Sequence, residues 1–168
     1  PGRRKNKFKN IIQLMKKIFI LFGLLVIQQN LYAQVELPAY PDSLFSTYYH
    51  QRVSLFQSLP QTKSDIIFVG NSITDGNEWT ELFDDKRIKN RGISGDISAG
   101  VIRRLPEIAN RKPSKAFLMM GTNDLARNIS IDSILKNTLL AVSYLVQKTP
   151  STKIYIQKNR MHEKHPIS

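Results

Sequence analysis

The chain has 168 residues, enough for one domain and too few for two of ordinary size, and its 41% apolar content is that of a globular protein. It contains no cysteine, which excludes a disulfide framework, a thiolate metal site and a lipid-modified N-terminal cysteine. Its net charge of +12 would suit nucleic acid, but the charge sits in the wrong place: residues 1–17 carry seven of the 25 basic residues, no acidic residue precedes Glu36, and the rest does not interleave with aromatics.

Residues 15–34 read MKKIFILFGLLVIQQNLYAQ. A methionine and two lysines precede an apolar run over 18–27, then a polar break and a small residue, Ala33. That is the layout of a secretory signal peptide. The apolar run is too short to cross a hydrocarbon layer, which needs about 20 residues, so no stable membrane anchor is expected. Because the sequence opens on Pro1, Met15 is the expected start and residues 1–14 read as upstream read-through. The expected product is secreted or periplasmic, cleaved near Ala33, with its domain over 34–157 and a tail over 158–168 outside the domain's pattern. A membrane-anchored structural protein using residues 11–33 is the rival reading of this end.

In chain order, Pro38 and Pro41 predict an extended entry segment. Leu44, Phe45, Tyr48, Val53, Phe56 and Leu59 then recur with a roughly helical spacing closed by Pro60. The continuous apolar run Ile66-Ile67-Phe68-Val69, ending at Gly70, suits a strand buried on both faces of a parallel sheet. A second short strand is expected near 88–91, ending at Gly92, and a helix over 98–110 that contains Pro106. A third strand is expected over 116–120, ending at Gly121. An amphipathic helix follows, with Ser130 as N-cap and Ile131, Ile134, Leu135, Leu139, Val142 and Val146 as its expected inward stripe. Ile154-Tyr155-Ile156 begins a fourth strand. Strands alternating with helices imply an α/β fold with a parallel sheet covered on both faces.

Each of the first three strands runs into a polar loop: Gly70-Asn71-Ser72-Ile73-Thr74-Asp75-Gly76, Asn90-Arg91-Gly92-Ile93-Ser94-Gly95-Asp96, and Gly121-Thr122-Asn123-Asp124. Ligands of open α/β sheets bind beyond the carboxyl ends of the strands, and a strand order 2-1-3-4 would set these loops side by side. Ester hydrolysis needs a nucleophile and donors for the developing oxyanion. Ser72 supplies a hydroxyl at a strand-to-helix turn, Gly95 an unobstructed main-chain N–H, and Asn123 a carboxamide N–H. Asp75, Asp96 and Asp124 read as loop-stabilising side chains.

These three blocks resemble those of the SGNH/GDSL hydrolase family. Gly70-Asn71-Ser72-Ile73-Thr74 resembles the nucleophile block, with Asn71 where the family name has Asp; Gly95 matches the second block's glycine and Asn123 the third block's asparagine. The wording around them is similar to the platelet-activating-factor acetylhydrolase-like branch and to bacterial proteins named sialate O-acetylesterases. The resemblance implies a flavodoxin-like three-layer sandwich and a serine ester hydrolase with Ser72 as nucleophile and Gly95 and Asn123 in the oxyanion hole. It also implies no metal or organic cofactor, and a small acyl-ester substrate such as an O-acetylated carbohydrate.

The family's fourth block, an Asp-x-x-His whose histidine is the general base, occurs nowhere in the 168 residues. His50 falls on the leading helix, where a partly exposed structural position is expected, and His162 and His165 lie in the tail KNRMHEKHPIS. The expectation is therefore a fold lacking its last strand and helices, as a frameshift, assembly break or early stop would leave it. Such a chain is expected to be inactive and marginally stable. A non-catalytic module that holds a ligand in the preserved loops is the alternative.

Overall fold

A computed structural model describes residues 13–20 and 34–157. Two compact units divide the chain at residue 34. In the first, residues 13–20 are helical, and residues 21–33, with the expected cleavage position at Ala33, lie outside the described residues. No helix among the described residues is long and apolar enough to cross a membrane.

The second unit opens with an extended segment held to the body by Val35 N–H donating to Gln147 Oε1 and the Tyr40 hydroxyl donating to Asn137 Oδ1. Helix α1 (Thr47–Ser58) starts where Ser46 Oγ accepts the Tyr49 N–H. There follow β1 (Ile66–Gly70), the short helices α2 (Ser72–Asp75) and α3 (Trp79–Leu82), β2 (Ile88–Gly92), α4 (Ser98–Asn110), β3 (Lys115–Leu118), α5 (Thr122–Ala126), α6 (Ile131–Lys148) and β4 (Lys153–Ile156). All pairings are parallel and the order is β2-β1-β3-β4. This is the α/β architecture expected from the strand–helix alternation. The strand ends are in register: Gly70 faces Gly92, Val69 faces Leu118, and Leu118 faces Ile156. Three polar loops therefore leave one edge of the sheet, on either side of the point where strand order reverses.

Alternation along β1 and β3 divides the core between the two faces. Ile67, Val69, Ala116 and Leu118 point to one face, where they meet Val101, Ile102, Leu105 and Ile108 of α4 and Ala141 and Leu145 of α6. Pro106 falls on the exposed side of α4, and the helix runs on through it. On the opposite face Phe68, Phe117 and Tyr155 occupy facing register positions and stack as a ladder, 4.7 Å from ring to ring, the strand spacing itself. Trp79 of α3 continues the ladder over Phe68 at 4.7 Å.

Helix α6 corrects one expectation. Ile131, Leu135, Leu139 and Val146 are each more than half exposed, whereas Ala141 and Leu145 are buried and Ile134, Leu140, Val142 and Tyr144 partly so. Apolar residues cover so much of this helix that its periodicity allows two stripes. Packing selects the one with small Ala141 at the contact and with Asn137, whose amide donates to Ser98 Oγ at 2.8 Å. Ser130 is the N-cap as expected, its Oγ accepting the Ser133 N–H.

Leu145→Ala is expected to lower stability by about 2–5 kcal/mol, and Leu139→Ala to change it by no more than about 0.5 kcal/mol. Urea midpoints of the two variants decide between the stripes. Equal losses would restore the outward one to the core.

Candidate active site

The first loop turns sharply into α2. Asn71 caps that helix by accepting the Ile73 N–H on its carboxamide oxygen at 3.0 Å, which leaves Ser72 as the first helical residue. Ser72 is exposed, and its hydroxyl bonds to nothing among the described residues. The turn packs against the end of β2 so closely that a Cβ on Gly92 would stand 2.1 Å from the Asp75 nitrogen. Asn90 fastens it further, its amide lying within 2.9–3.1 Å of the Thr74, Asp75 and Asn77 carbonyl oxygens.

Asp75 joins the first loop to the second. Its Oδ2 accepts from the Ser94 N–H at 2.9 Å, the Ser94 hydroxyl at 2.8 Å and the Tyr48 hydroxyl at 2.8 Å, while Arg52 pairs with Oδ1 at 3.2 Å. The bond to Asp75 holds the Tyr48 phenol above its ordinary pKa, with burial and the carboxylate charge acting in the same direction. The second loop is joined to the third by three further links. Asn123 Nδ2 donates to the Asp96 carbonyl at 2.8 Å, Arg127 donates to the Gly95 carbonyl at 3.0 Å, and the Asp124 carboxylate accepts the Ser98 N–H and hydroxyl. All three aspartates thus stabilise loops, as their sequence positions suggested.

Gly95 has φ +79°, a conformation that favours glycine, and the space a Cβ would take is open within 4 Å. Neither its N–H nor that of Ser72 bonds to a protein group among the described residues, and Asn123 has given one of its two amide hydrogens to Asp96. The topology and the cross-ties bring the three sequence-predicted residues to one edge, each with a donor to spare. Chemically the arrangement can present a hydroxyl and N–H groups to a carbonyl.

The histidines fall elsewhere. His50 is half-buried on α1, edge-on to the rings of Phe45 and Tyr49, and His162 and His165 lie outside the described residues. Among the described residues, no cluster of three or more His, Cys, Asp or Glu could hold a metal ion. A cleft of about 640 Å³ opens between the entry segment, α4 and α6, lined by Leu37, Tyr40, Ile97, Ile129 and Leu140; Ser72, Gly95 and Asn123 do not line it. Sequence reasoning missed Asn90, Tyr48, Arg52 and Arg104. Asn90 stood within the second polar segment and Arg104 on the helix after it, but nothing local identifies their partners.

Arg104 pairs with Asp96 at 2.9 Å, both side chains essentially fully buried. Burial, the largest influence, pushes the Asp96 carboxyl up from the ordinary 3.8 to about 6 against the lowering pull of Arg104. The folded chain therefore keeps a proton that the unfolded chain has already released. Asp96 favours folding fully below about pH 4, and that contribution is lost as pH rises through about 6. The stability of the wild type relative to Asp96→Asn is expected to fall over this window, as read from urea midpoints at pH 4, 5, 6 and 7. A constant difference would contradict the raised value.

Residues 68–166 match the GDSL-like lipase/acylhydrolase family. No curated protein matches. Among solved structures, one named for a platelet activating factor from Streptococcus pneumonia is similar at 23% identity and TM-score 0.56, over 65% of this chain and 53% of that one. A GDSL-like lipase from Bacteroides thetaiotaomicron is similar at 25% identity and TM-score 0.53, over 64% and 56%. A Bacteroides fragilis structure named as an acylhydrolase is similar at 24% identity and TM-score 0.52, over 70% and 58%. The chain spans little more than half the length of these structures, and with them it shares the parallel sheet and flanking helices. With the family match covering more than half of its residues, the chain belongs to the GDSL-like lipase/acylhydrolase family.

Proposed function

We propose that the chain carries the nucleophile and oxyanion site of a serine ester hydrolase, acting on a small acyl ester such as an O-acetylated carbohydrate. The observation that carries this reading is the edge where three cross-tied loops leave the Ser72 hydroxyl, the Ser72 and Gly95 N–H groups and one Asn123 amide hydrogen without protein partners among the described residues. Family membership supports the reaction class, and the branch resemblance in the loops supports a small acyl group. In the reaction Ser72 Oγ bonds to the carbonyl carbon and gives its proton to a base. The carbonyl oxygen, now an anion, is met by the three donors; the alcohol leaves with a proton and water releases the acid. No metal or organic cofactor enters these steps.

The base is the part the 168 residues do not supply in recognisable form. A serine without its histidine loses about 10⁶ in turnover in a comparable triad enzyme, so residues 1–168 alone are proposed to be nearly inactive. Free imidazole is then expected to restore part of the hydrolysis of p-nitrophenyl acetate. Ser72→Ala should abolish the protein-dependent part, and Asn123→Ala should lower it by about 10²–10³. Hydrolysis equal in the wild type and Ser72→Ala would sink the nucleophile assignment.

The missing Asp-x-x-His favours a second reading, a non-catalytic module that keeps the loops to hold a ligand. Saturable binding of an acetylated sugar, unchanged by Ser72→Ala and accompanied by no imidazole-dependent turnover, decides for it. Residues 15–33 are read as an export leader; N-terminal sequencing of the extracytoplasmic product is expected to begin near residue 34, and membrane retention of the full chain would refute that.

A further inference from the structure

One side chain outside the candidate donors touches the roots of two of the three loops and, through its partner, the third. Arg104, on α4, donates from Nη2 to the Gly70 carbonyl at 3.1 Å, immediately before Asn71 and Ser72. It donates from Nη1 to the Arg91 carbonyl at 2.6 Å, where β2 gives way to the second loop. Its Nε and Nη2 both reach Asp96 Oδ2, at 3.1 and 2.9 Å. Asp96 follows Gly95 directly, and its carbonyl is the acceptor that fixes Asn123. Gly100 testifies to how tightly this carboxylate is seated, since a Cβ there would stand 1.9 Å from Asp96 Oδ1. The other buried arginine of α4's end, Arg111, makes a useful contrast. It donates to the Phe56, Leu59 and Pro60 carbonyls at the end of α1 and to Glu107, and to none of the three loops.

We propose that Arg104, acting through its buried pair with Asp96, is the positioning residue that sets Ser72, Gly95 and Asn123 relative to one another. This rests on the ester-hydrolase reading for its purpose, but its geometry can be tested without turnover. A buried ion pair is a costly way to fill space, and apolar side chains of similar volume often serve stability as well. What apolar side chains cannot do is tie two strand-end carbonyls and a loop carboxylate together by hydrogen bonds. The guanidinium's fixed fork does this, and a lysine ammonium, a point charge with three donors, cannot reproduce it.

The test compares Arg104→Lys with Arg111→Lys in the full chain. In Arg104→Lys the amide resonances of Ser72 and Gly95 and the side-chain amide of Asn123 are expected to shift together. In Arg111→Lys, at a comparable loss of thermal stability, those three are expected to stay in place. Gly100→Ala, which displaces the Asp96 carboxylate while leaving Arg104 intact, is expected to move the same three signals. In the imidazole-supported assay Arg104→Lys should lower kcat by about 10²-fold and leave KM unchanged, as misplaced donors would. If the three signals move no more in Arg104→Lys than in Arg111→Lys, the pair is merely structural and the proposal fails. If Arg104→Lys does not fold, Asp96→Asn is judged by the same criterion. Should Ser72→Ala prove as active as the wild type while Arg104→Lys still moves all three signals, the positioning stands and the ester-hydrolase reading falls.

Discussion

Carbonyl oxygens at the ends of β1 and β2 and a carboxylate in the loop that follows β2 close on one guanidinium, that of Arg104, in the interior of the domain. An isolated charge there would be prohibitively expensive to desolvate. Four hydrogen bonds to three acceptors make it tolerable, and the same bonds fix where β1 and β2 stop being sheet and start being loop. The in-register pairing of Gly70 with Gly92 leaves both chains leaving the sheet at the same height. Arg104 then holds them there.

The two sheet faces contribute differently to that rigidity. On one, branched aliphatic side chains of β1 and β3 interdigitate with α4 and α6, so the helix carrying Arg104 is itself locked by the largest apolar cluster. On the other, the ring ladder from Trp79 to Tyr155 runs across the strands and ties α3 to the sheet. Since α3 follows the Ser72 turn closely in the chain, this stack steadies the first loop from behind, where the Trp79 indole N–H also reaches the Thr74 carbonyl at 2.7 Å.

Much of this was legible in the residues. Short apolar runs ending in glycine mark strands buried on both faces, and the polar stretches after them share one edge because parallel strands all point their carboxyl ends the same way. The placement of Ser72, Gly95 and Asn123 in loops at that edge was readable on that ground. The orientation of α6 was not, because a helix with apolar residues around most of its circumference does not declare which stripe faces inward; the fit of Ala141 and Asn137 against α4 decides it, and that is a tertiary fact. Arg104 was invisible for a related reason. In sequence it is one charge on an amphipathic helix, beside Arg103, and only the close approach of Asp96 over Gly100 reveals that one of the two turns inward.

Three carboxylates surround the site proposed to receive a negative oxygen, which on charge alone is the wrong sign. The surroundings offset each one. Asp75 faces Arg52, Asp96 faces Arg104, and Asp124 sits at the first turn of α4, where it takes the Ser98 N–H and hydroxyl in the place of a local N-cap. In doing so the polar loop side chains also sort the main-chain donors. Asn71 takes the N–H of Ile73, Asn90 that of Gly92, Asp75 that of Ser94 and Asp96 that of Ile97. The N–H groups of Ser72 and Gly95 are passed over among the described residues. The acidic loops therefore act as scaffolding that consumes neighbouring donors internally and leaves uncommitted, among the described residues, those that the proposed oxyanion site would use.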